Sequence, residues 1–261
     1  MIFYLCSLIL NLKVSILTVS YQSAATLRQT IESVLAQDYP NIEYWVIDGG
    51  STDGSLEILK SFGSSIHFIS EKDAGIYDAM NKGLKLIQGD VIGMIGADDF
   101  YPSTDVISSV VATFKSNQVD VVYGDKQYVN PENPEKIVRY WTAGAYQEKQ
   151  WLYGWMPPHL SFYIKKSSAD RNGPYRTDFT CSADYEWMLR ALYKNKMTAL
   201  YLPKVLMTMR NGGTSTASFK HRLIANTEDR KAWSVNHLNP YFFTLALKPL
   251  RKISQLFKSK K

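Results

Sequence analysis

Between Lys13 and Tyr123, short apolar runs alternate with apolar stripes of helical period. Val14–Ser20 reads as a buried strand, and the next stretch places Leu27, Ile31, Val34 and Leu35 on one helical face. Tyr44–Ile47 is a second strand, followed by a helix near Ser55–Phe62 and a third strand at Ile66–Ile69. Ile76, Met80, Leu84 and Ile87 again share a helical face. A strand at Val91–Ile95, a helix near Asp105–Lys115 and a strand at Val119–Tyr123 complete the series. Such alternation predicts an α/β domain with a largely parallel sheet. Ligands of open α/β sheets sit beyond the carboxyl ends of the strands, so chemistry is expected in the loops after Val19, Ile47 and Ile95.

After Gly124 the pattern changes to a Tyr/Trp/Pro-rich stretch that runs to Pro158, then a helix around Ala183–Tyr193 and a strand near Ala199–Leu202. Three regions are expected: an extension over 1–12, a domain over 13–230 whose halves meet at Gly124, and a tail over 231–261. The extension, MIFYLCSLILNL, is apolar but too short to span a bilayer, and it lacks the basic cluster and cleavage site of an export signal. Packing against the domain and contact with a membrane are its two readings.

A chain of 261 residues with 45% hydrophobic content can bury a sizeable core, which excludes overall disorder. The two cysteines, Cys6 and Cys181, lie far apart without CxxC spacing, so neither a disulfide framework nor a zinc site is expected. A reducing, cytoplasmic compartment fits. The net charge of +6 is local: eight Lys/Arg follow Asp229 with no acid among them, leaving 22 basic and 24 acidic residues before them. That balance excludes a nucleic-acid-binding face on the main domain.

In the tail, Ala246, Leu250, Ile253 and Phe257 share one helical face, while Lys248, Arg251, Lys252 and Lys258 occupy the other sides. Such a helix suits an anionic membrane surface, which would place the protein on the inner face of the plasma membrane. A terminal helix docked on its own domain is the other reading. Pro249 predicts a short helix that begins near it, after the aromatic stretch Pro240-Tyr241-Phe242-Phe243.

The loop after the second strand reads Asp48-Gly49-Gly50-Ser51-Thr52-Asp53-Gly54-Ser55. Neither GxGxxG nor GxxxxGK[ST] occurs, which argues against a dinucleotide oxidoreductase or an NTPase. Its carboxylates could accept hydrogen bonds from a base N–H or from ribose hydroxyls, and Ser51-Thr52-Asp53 could equally cap a helix. The loop after the fourth strand, Gly96-Ala97-Asp98-Asp99-Phe100-Tyr101-Pro102, holds two adjacent acids that repel unless a cation joins them. With oxygen ligands alone that cation would be Mg²⁺ or Mn²⁺, shared with substrate phosphates. Taken alone, the pair also fits an acidic turn before a helix.

Taken together, VSILTVSY, DGGSTDGS, SEKDAGIYDAMNKG, GADD and SADYEWMLRAL occur in the order and spacing of family 2 glycosyltransferases. The chain resembles that family from about Lys13 to Leu206, and most of all the bacterial enzymes that build exopolysaccharide, capsule or O-antigen units. The resemblance implies a GT-A fold, with a Rossmann-like sheet whose first half binds a nucleotide-sugar and whose second half takes a saccharide or lipid-linked acceptor. It implies that Thr18, Tyr21, Asp48 and Asp53 line the nucleotide pocket. Asp98 and Asp99 would be the DXD-type element that meets ribose, diphosphate and a Mn²⁺ or Mg²⁺ ion. Asp184 would be the catalytic base of a single, inverting displacement, since an attacking sugar hydroxyl must lose its proton.

Three positions depart from the family pattern: Gly49 replaces the second acid of DDGS, Gly96 replaces an Asp or Asn, and Ala183 replaces the Glu before the base. Glu186, the nearest other acid, projects to a different helical face from Asp184. Asp78 and Asn81 share a polar face that could approach the donor or lie in solvent. His159 matches a histidine often seen in such sequences, as an acceptor contact or as a structural residue. Gly212-Gly213-Thr214-Ser215 could be a lid over the donor or a turn. A sugar-nucleotide-binding protein without turnover is the alternative, and the retained acids argue against it. A nucleotidyltransferase would need a basic, Gly-rich triphosphate loop within Val14–Ala25, and a processive membrane synthase several apolar spans and a QxxRW element.

Overall fold

The computed structural model describes residues 12–212 and 219–253. Its first part alternates as the pattern predicts: β1 (Val14–Ser20), α1 (Ala24–Leu35), β2 (Ile42–Asp48), α2 (Ser55–Ser61), β3 (His67–Ser70), α3 (Ile76–Leu86) and β4 (Val91–Gly96). A two-residue β5 (Asp99–Phe100), α4 (Val106–Ser116), β6 (Val121–Val129), β7 (Ile137–Trp141) and β8 (Phe162–Lys165) follow. The remaining elements are α5 (Lys166–Asn172), α6 (Ala183–Leu189), β9 (Ala199–Arg210), α7 (Phe219–Val235) and α8 (Thr244–Ile253).

All the strands join one sheet in the order β3-β2-β1-β4-β8-β6-β9-β5, with β7 paired to β6. β3, β2, β1 and β4 run parallel, so the loops that leave β1, β2 and β4 emerge together at one edge. β8 is antiparallel to both β4 and β6, whereas β9 is parallel to β6. One face of the sheet packs against α1 and α4 through Leu27, Ile31, Val34, Val106 and Val110. The other packs against α3, α6 and α7 through Met80, Trp187, Met188 and Trp233. Each fully buried Leu, Ile or Val contributes about 1.5–3 kcal/mol, and the helical stripes read from the sequence cover the two faces of this sheet except at Leu35 and Ile76, which are exposed.

Four boundaries move. β9 runs twelve residues instead of the expected four. The sequence hides this because Pro203 cannot donate to a ladder, and a bulge at Gly124–Lys126 absorbs it by shifting the register from Leu202 to Val205. The α-helical turns of α6 stop at Leu189 and widen into a π-turn over Arg190–Lys194. The division at Gly124 falls inside β6, so both halves share a strand. The tail begins after α7, because Ala232 and Trp233 are buried in the core and the Trp233 indole donates to the Tyr185 hydroxyl at 2.8 Å.

Pro249 lies inside α8 rather than at its start. The helix begins at Thr244, whose hydroxyl donates to the Leu152 carbonyl at 2.6 Å. Lys248 turns inward, against the expected solvent-facing role. Its ammonium sits 2.6 Å from the Asp229 carboxylate and 3.6 Å over the Tyr185 ring. Ala246 and Leu250 stay exposed, and Phe242 is 96% exposed. Phe257, Lys258, the apolar run 1–11 and Gly213-Thr214-Ser215 lie outside the described residues. No helix among the described residues is long and apolar enough to cross a membrane.

Candidate active site

The edge where β1 and β2 end is built by carboxylates that hold backbone. Asp48 is fully buried, and its oxygens accept hydrogen bonds from the Ser51 hydroxyl at 2.5 Å, the Ser70 hydroxyl at 2.7 Å, and the amides of Ser51 and Gly50 at 2.9 and 3.2 Å. Its acceptor capacity is thus spent inside the loop. Asp53 accepts from the Ala24 amide at 2.8 Å, and from the Ser55 amide and hydroxyl at 3.1 and 2.7 Å. It therefore caps the first turns of both α1 and α2, and these bonds, Ala24 foremost, hold its carboxyl below the usual range. Gln22, in the left-handed region at φ 50°, is fastened to the same loop through Ser51 and Thr52.

Thr18 does not line the pocket. It is fully buried on β1, and its hydroxyl is 2.9 Å from the Tyr44 hydroxyl within the core. Tyr21 stands open to solvent beside Gly49. A Cβ at Gly49 would lie 2.6 Å from Asp73 Oδ2 and 3.2 Å from the Tyr21 ring. The space that a side chain at this position would fill is thus taken by the Asp73 carboxylate, which reaches in from the loop after β3.

At the end of β4 the acidic pair closes over Gly96. A Cβ there would meet Asp99 Oδ2 at 2.8 Å and Asp98 Oδ1 at 3.0 Å, so the two carboxylates converge where the missing side chain would be. Their surroundings differ. Asp98 is half-buried, whereas Asp99 is 1% exposed and neither of its oxygens has a hydrogen-bond partner among the described residues. Burial first, and then the Asp98 charge, push the Asp99 carboxyl up to about 8, against Lys126 and Arg210. The Thr30 hydroxyl pins the Asp99 carbonyl at 2.6 Å, and the Arg210 guanidinium donates to the Asp98 carbonyl.

The N-terminus of α6 is held by a residue far along the chain. Glu228 of α7 accepts from the amides of Thr180, Cys181 and Ser182 at 2.6, 2.8 and 2.8 Å. This fixes the N-cap Ser182 and the two residues that lead into it, so the entry to α6 is anchored from α7. Asp184, in the first turn, is half-buried and has no side-chain hydrogen bond among the described residues. Tyr77 of α3 packs on the same turn, and the Asp184 charge adds to burial in raising the Tyr77 phenol. Glu186 is 1% exposed and engaged by Arg190 at 3.0 Å and Asn236 at 2.9 Å, which removes it as a base.

A model of the family described as "Glycosyl transferase family 2" matches residues 15–194. This chain belongs to glycosyltransferase family 2. It is 26% identical over 204 residues to a PGL/p-HBAD biosynthesis glycosyltransferase of Mycobacterium bovis, covering 76% of this chain and 77% of that protein. It is 30% identical over 182 residues to an uncharacterized glycosyltransferase of Mycobacterium tuberculosis, covering 68% of each. Among solved structures it resembles S. aureus TarS 1-349 in complex with UDP-GlcNAc, with a TM-score of 0.68, 17% identity, and coverage of 93% of this chain and 73% of that one. It also resembles the mannosyltransferase PcManGT from Pyrobaculum calidifontis, in complex with GDP-Man and Mn²⁺. There the TM-score is 0.63 at 16% identity, over 96% and 77% of the two chains. The fold is GT-A.

The remaining expected residues of this family 2 enzyme have these places. Asn81 does not face a donor: its side chain donates to the Tyr175 carbonyl and accepts from the Tyr175 amide, both at 2.8 Å. Asp78 caps α3 through the Ala74 amide at 3.1 Å and lies 3.6 Å from Lys82. His159 is 2.9 Å from the Tyr175 hydroxyl and lines a small cavity with Met94, Phe162 and Trp187. Burial lowers its pKa, and the Asp184 charge opposes that. Glu228 and Arg210 act on loops remote in sequence and no local motif marks them, while Asp73 lies within the SEKDAGIYDAMNKG segment but carries no spacing that sets it apart from its neighbours.

A divalent ion fits the converging carboxylates of Asp98 and Asp99, two hard oxygen donors with lone pairs to spare. No group of three or more His, Cys, Asp or Glu side chains able to hold a metal occurs among the described residues. Phosphate oxygens and water would therefore have to complete the shell, as is usual for Mg²⁺.

Proposed function

We propose that this enzyme transfers one sugar, with inversion, from a nucleoside-diphosphate sugar to a hydroxyl of a saccharide or lipid-linked saccharide in bacterial surface polysaccharide or glycolipid synthesis. The observation that carries the reading is Asp184: a carboxylate without side-chain partners among the described residues, on a helix start braced by Glu228 and packed on by Tyr77 of α3. In this reading Asp184 takes the proton of the acceptor hydroxyl while its oxygen attacks the anomeric carbon. The bond to the diphosphate breaks on the opposite side, so one displacement inverts that centre.

Tyr21 and Asp73 receive the nucleotide, Tyr21 as an exposed aromatic face and Asp73 as an acceptor for a base N–H. Asp48 and Asp53 act through the loop they fasten. Asp98, with Asp99 behind it, holds Mn²⁺ or Mg²⁺, and the bound ion supplies positive charge to the leaving diphosphate. The structural neighbours support a nucleotide-sugar donor, since TarS 1-349 is in complex with UDP-GlcNAc and PcManGT with GDP-Man and Mn²⁺. The exposed Phe242, Ala246 and Leu250, beside a basic tail, support peripheral attachment to an anionic inner membrane surface.

A thermal-stability screen of nucleoside diphosphates and their sugars, with Mn²⁺ and with EDTA, tests the donor reading. A ligand that binds only the folded chain raises its melting temperature. Stabilisation by a nucleoside diphosphate that grows with Mn²⁺ is expected, and no stabilisation by any of them would overturn it.

A further inference from the structure

Lys126 is a nearly buried cation with no anion at ion-pair distance among the described residues. It is 7% exposed, yet its side chain makes no hydrogen bond or ion pair among the described residues. The bulge at Gly124–Lys126 sets it beside Trp141 of β7, its cross-strand partner, and its ammonium rests 4.8 Å from the Trp141 ring centroid and 4.9 Å from that of Tyr128. Two ring faces offset part of the cost of burying an ammonium but satisfy none of its three donors.

Its position is at the site. Lys126 opposes Met207 of β9, and two residues further along the same strand Met209 opposes Asp99. The Lys126 charge is felt by both the Asp99 carboxyl and the His159 ring. A nearly buried cation two strands from Asp99, with no hydrogen bond among the described residues, calls for a small anion of high charge density entering from the cleft. A neutral hydroxyl would leave the charge uncompensated, and a protein carboxylate does not reach it.

We propose that Lys126 is a phosphate-binding residue that contacts a phosphoryl oxygen of a substrate in the cleft. Two sources share that chemistry: the diphosphate of the donor, and a phosphate carried by the acceptor. The donor source rests on the nucleotide-sugar reading above; the phosphate contact itself does not.

The test compares the wild-type chain with Lys126→Met, close in shape and uncharged, and with Lys126→Gln, each checked for native circular dichroism. Binding of UDP, GDP, UMP and GMP is measured in EDTA, and binding of inorganic phosphate is measured with the tighter nucleotide saturating. If Lys126 meets the donor, both variants lose about tenfold to a hundredfold in affinity for the diphosphate and little for the monophosphate, the range for a hydrogen bond to a charged group. If it meets the acceptor, diphosphate binding holds, and phosphate binding seen in the wild type disappears in both variants. Unchanged binding in both arms overturns the proposal. If the wild type binds none of the four nucleotides either in EDTA or with Mn²⁺, the nucleotide-sugar reading fails instead, and the phosphate arm is run on the chain alone. Should both variants unfold, inorganic pyrophosphate binding to the wild type in EDTA decides, and absence of binding overturns the proposal.

Discussion

The loops after β2 and β4 begin alike, with aspartates at the end of an apolar parallel strand, and they treat those aspartates in opposite ways. Asp48 is met by four donors, whereas the two oxygens of Asp99 meet none among the described residues. The first loop uses carboxylate charge to fix its own backbone. The second leaves charge uncompensated, beside a half-buried Asp98 that points to the same spot. An acid at a strand end is therefore uninformative by itself, and the donors around it decide whether it builds a loop or waits for a ligand.

Substitutions that keep shape and remove charge should separate these roles. Between the two loops, the largest effect is expected for Asp98→Asn, which should lower metal-stimulated transfer by about a hundredfold while the fold stays intact, as expected for a group that aids the leaving diphosphate. Steady-state rates with and without Mn²⁺ check it, and an undiminished rate would erase the contrast between the loops. Asp48→Asn should cost about 2–4 kcal/mol of stability, because an amide cannot accept from all four donors of a buried carboxylate. Asp99→Asn in EDTA should cost nothing or stabilise, since it removes an unpartnered buried acid. Urea unfolding of the two variants side by side reads that difference directly.

Glu228→Ala should destabilise by about 2–3 kcal/mol by leaving three amides at the start of α6 without an acceptor. The smallest effect concerns His159. Burial lowers its pKa in the fold, so around its ordinary value of about 6.5 the unfolded chain takes up more protons. Stability should therefore fall as pH drops through that window, and His159→Gln should flatten the fall. A wild-type stability that rises on acidification over the same range would contradict this.

The alternation of runs and stripes made β1 to β4 and their helices legible, because each is a local pattern that ends in turn residues. β9 was legible only in part, since Pro203 masks a strand that continues by means of a bulge in its neighbour. The site was legible as a set of segments, and less so as roles. Thr18 and Asn81 carry polar groups in matching positions, but Tyr44 and the Tyr175 backbone claim them, and those partners come from 26 and 94 residues away. The capping reading of Asp53 holds, extended to a second helix that no spacing announces. Gly49 and Gly96, departures on paper, are places where carboxylates from Asp73 and from the Asp98-Asp99 pair close in on the backbone.

The most direct measurement of the central claim is sugar transfer by Asp184→Asn, followed alongside its binding of the nucleoside diphosphate. The account predicts that transfer falls by about a hundredfold to ten-thousandfold, the contribution of a positioned general base, while nucleotide affinity stays at the wild-type value. Transfer at the wild-type rate would remove Asp184 from the chemistry and with it the assignment of this cleft.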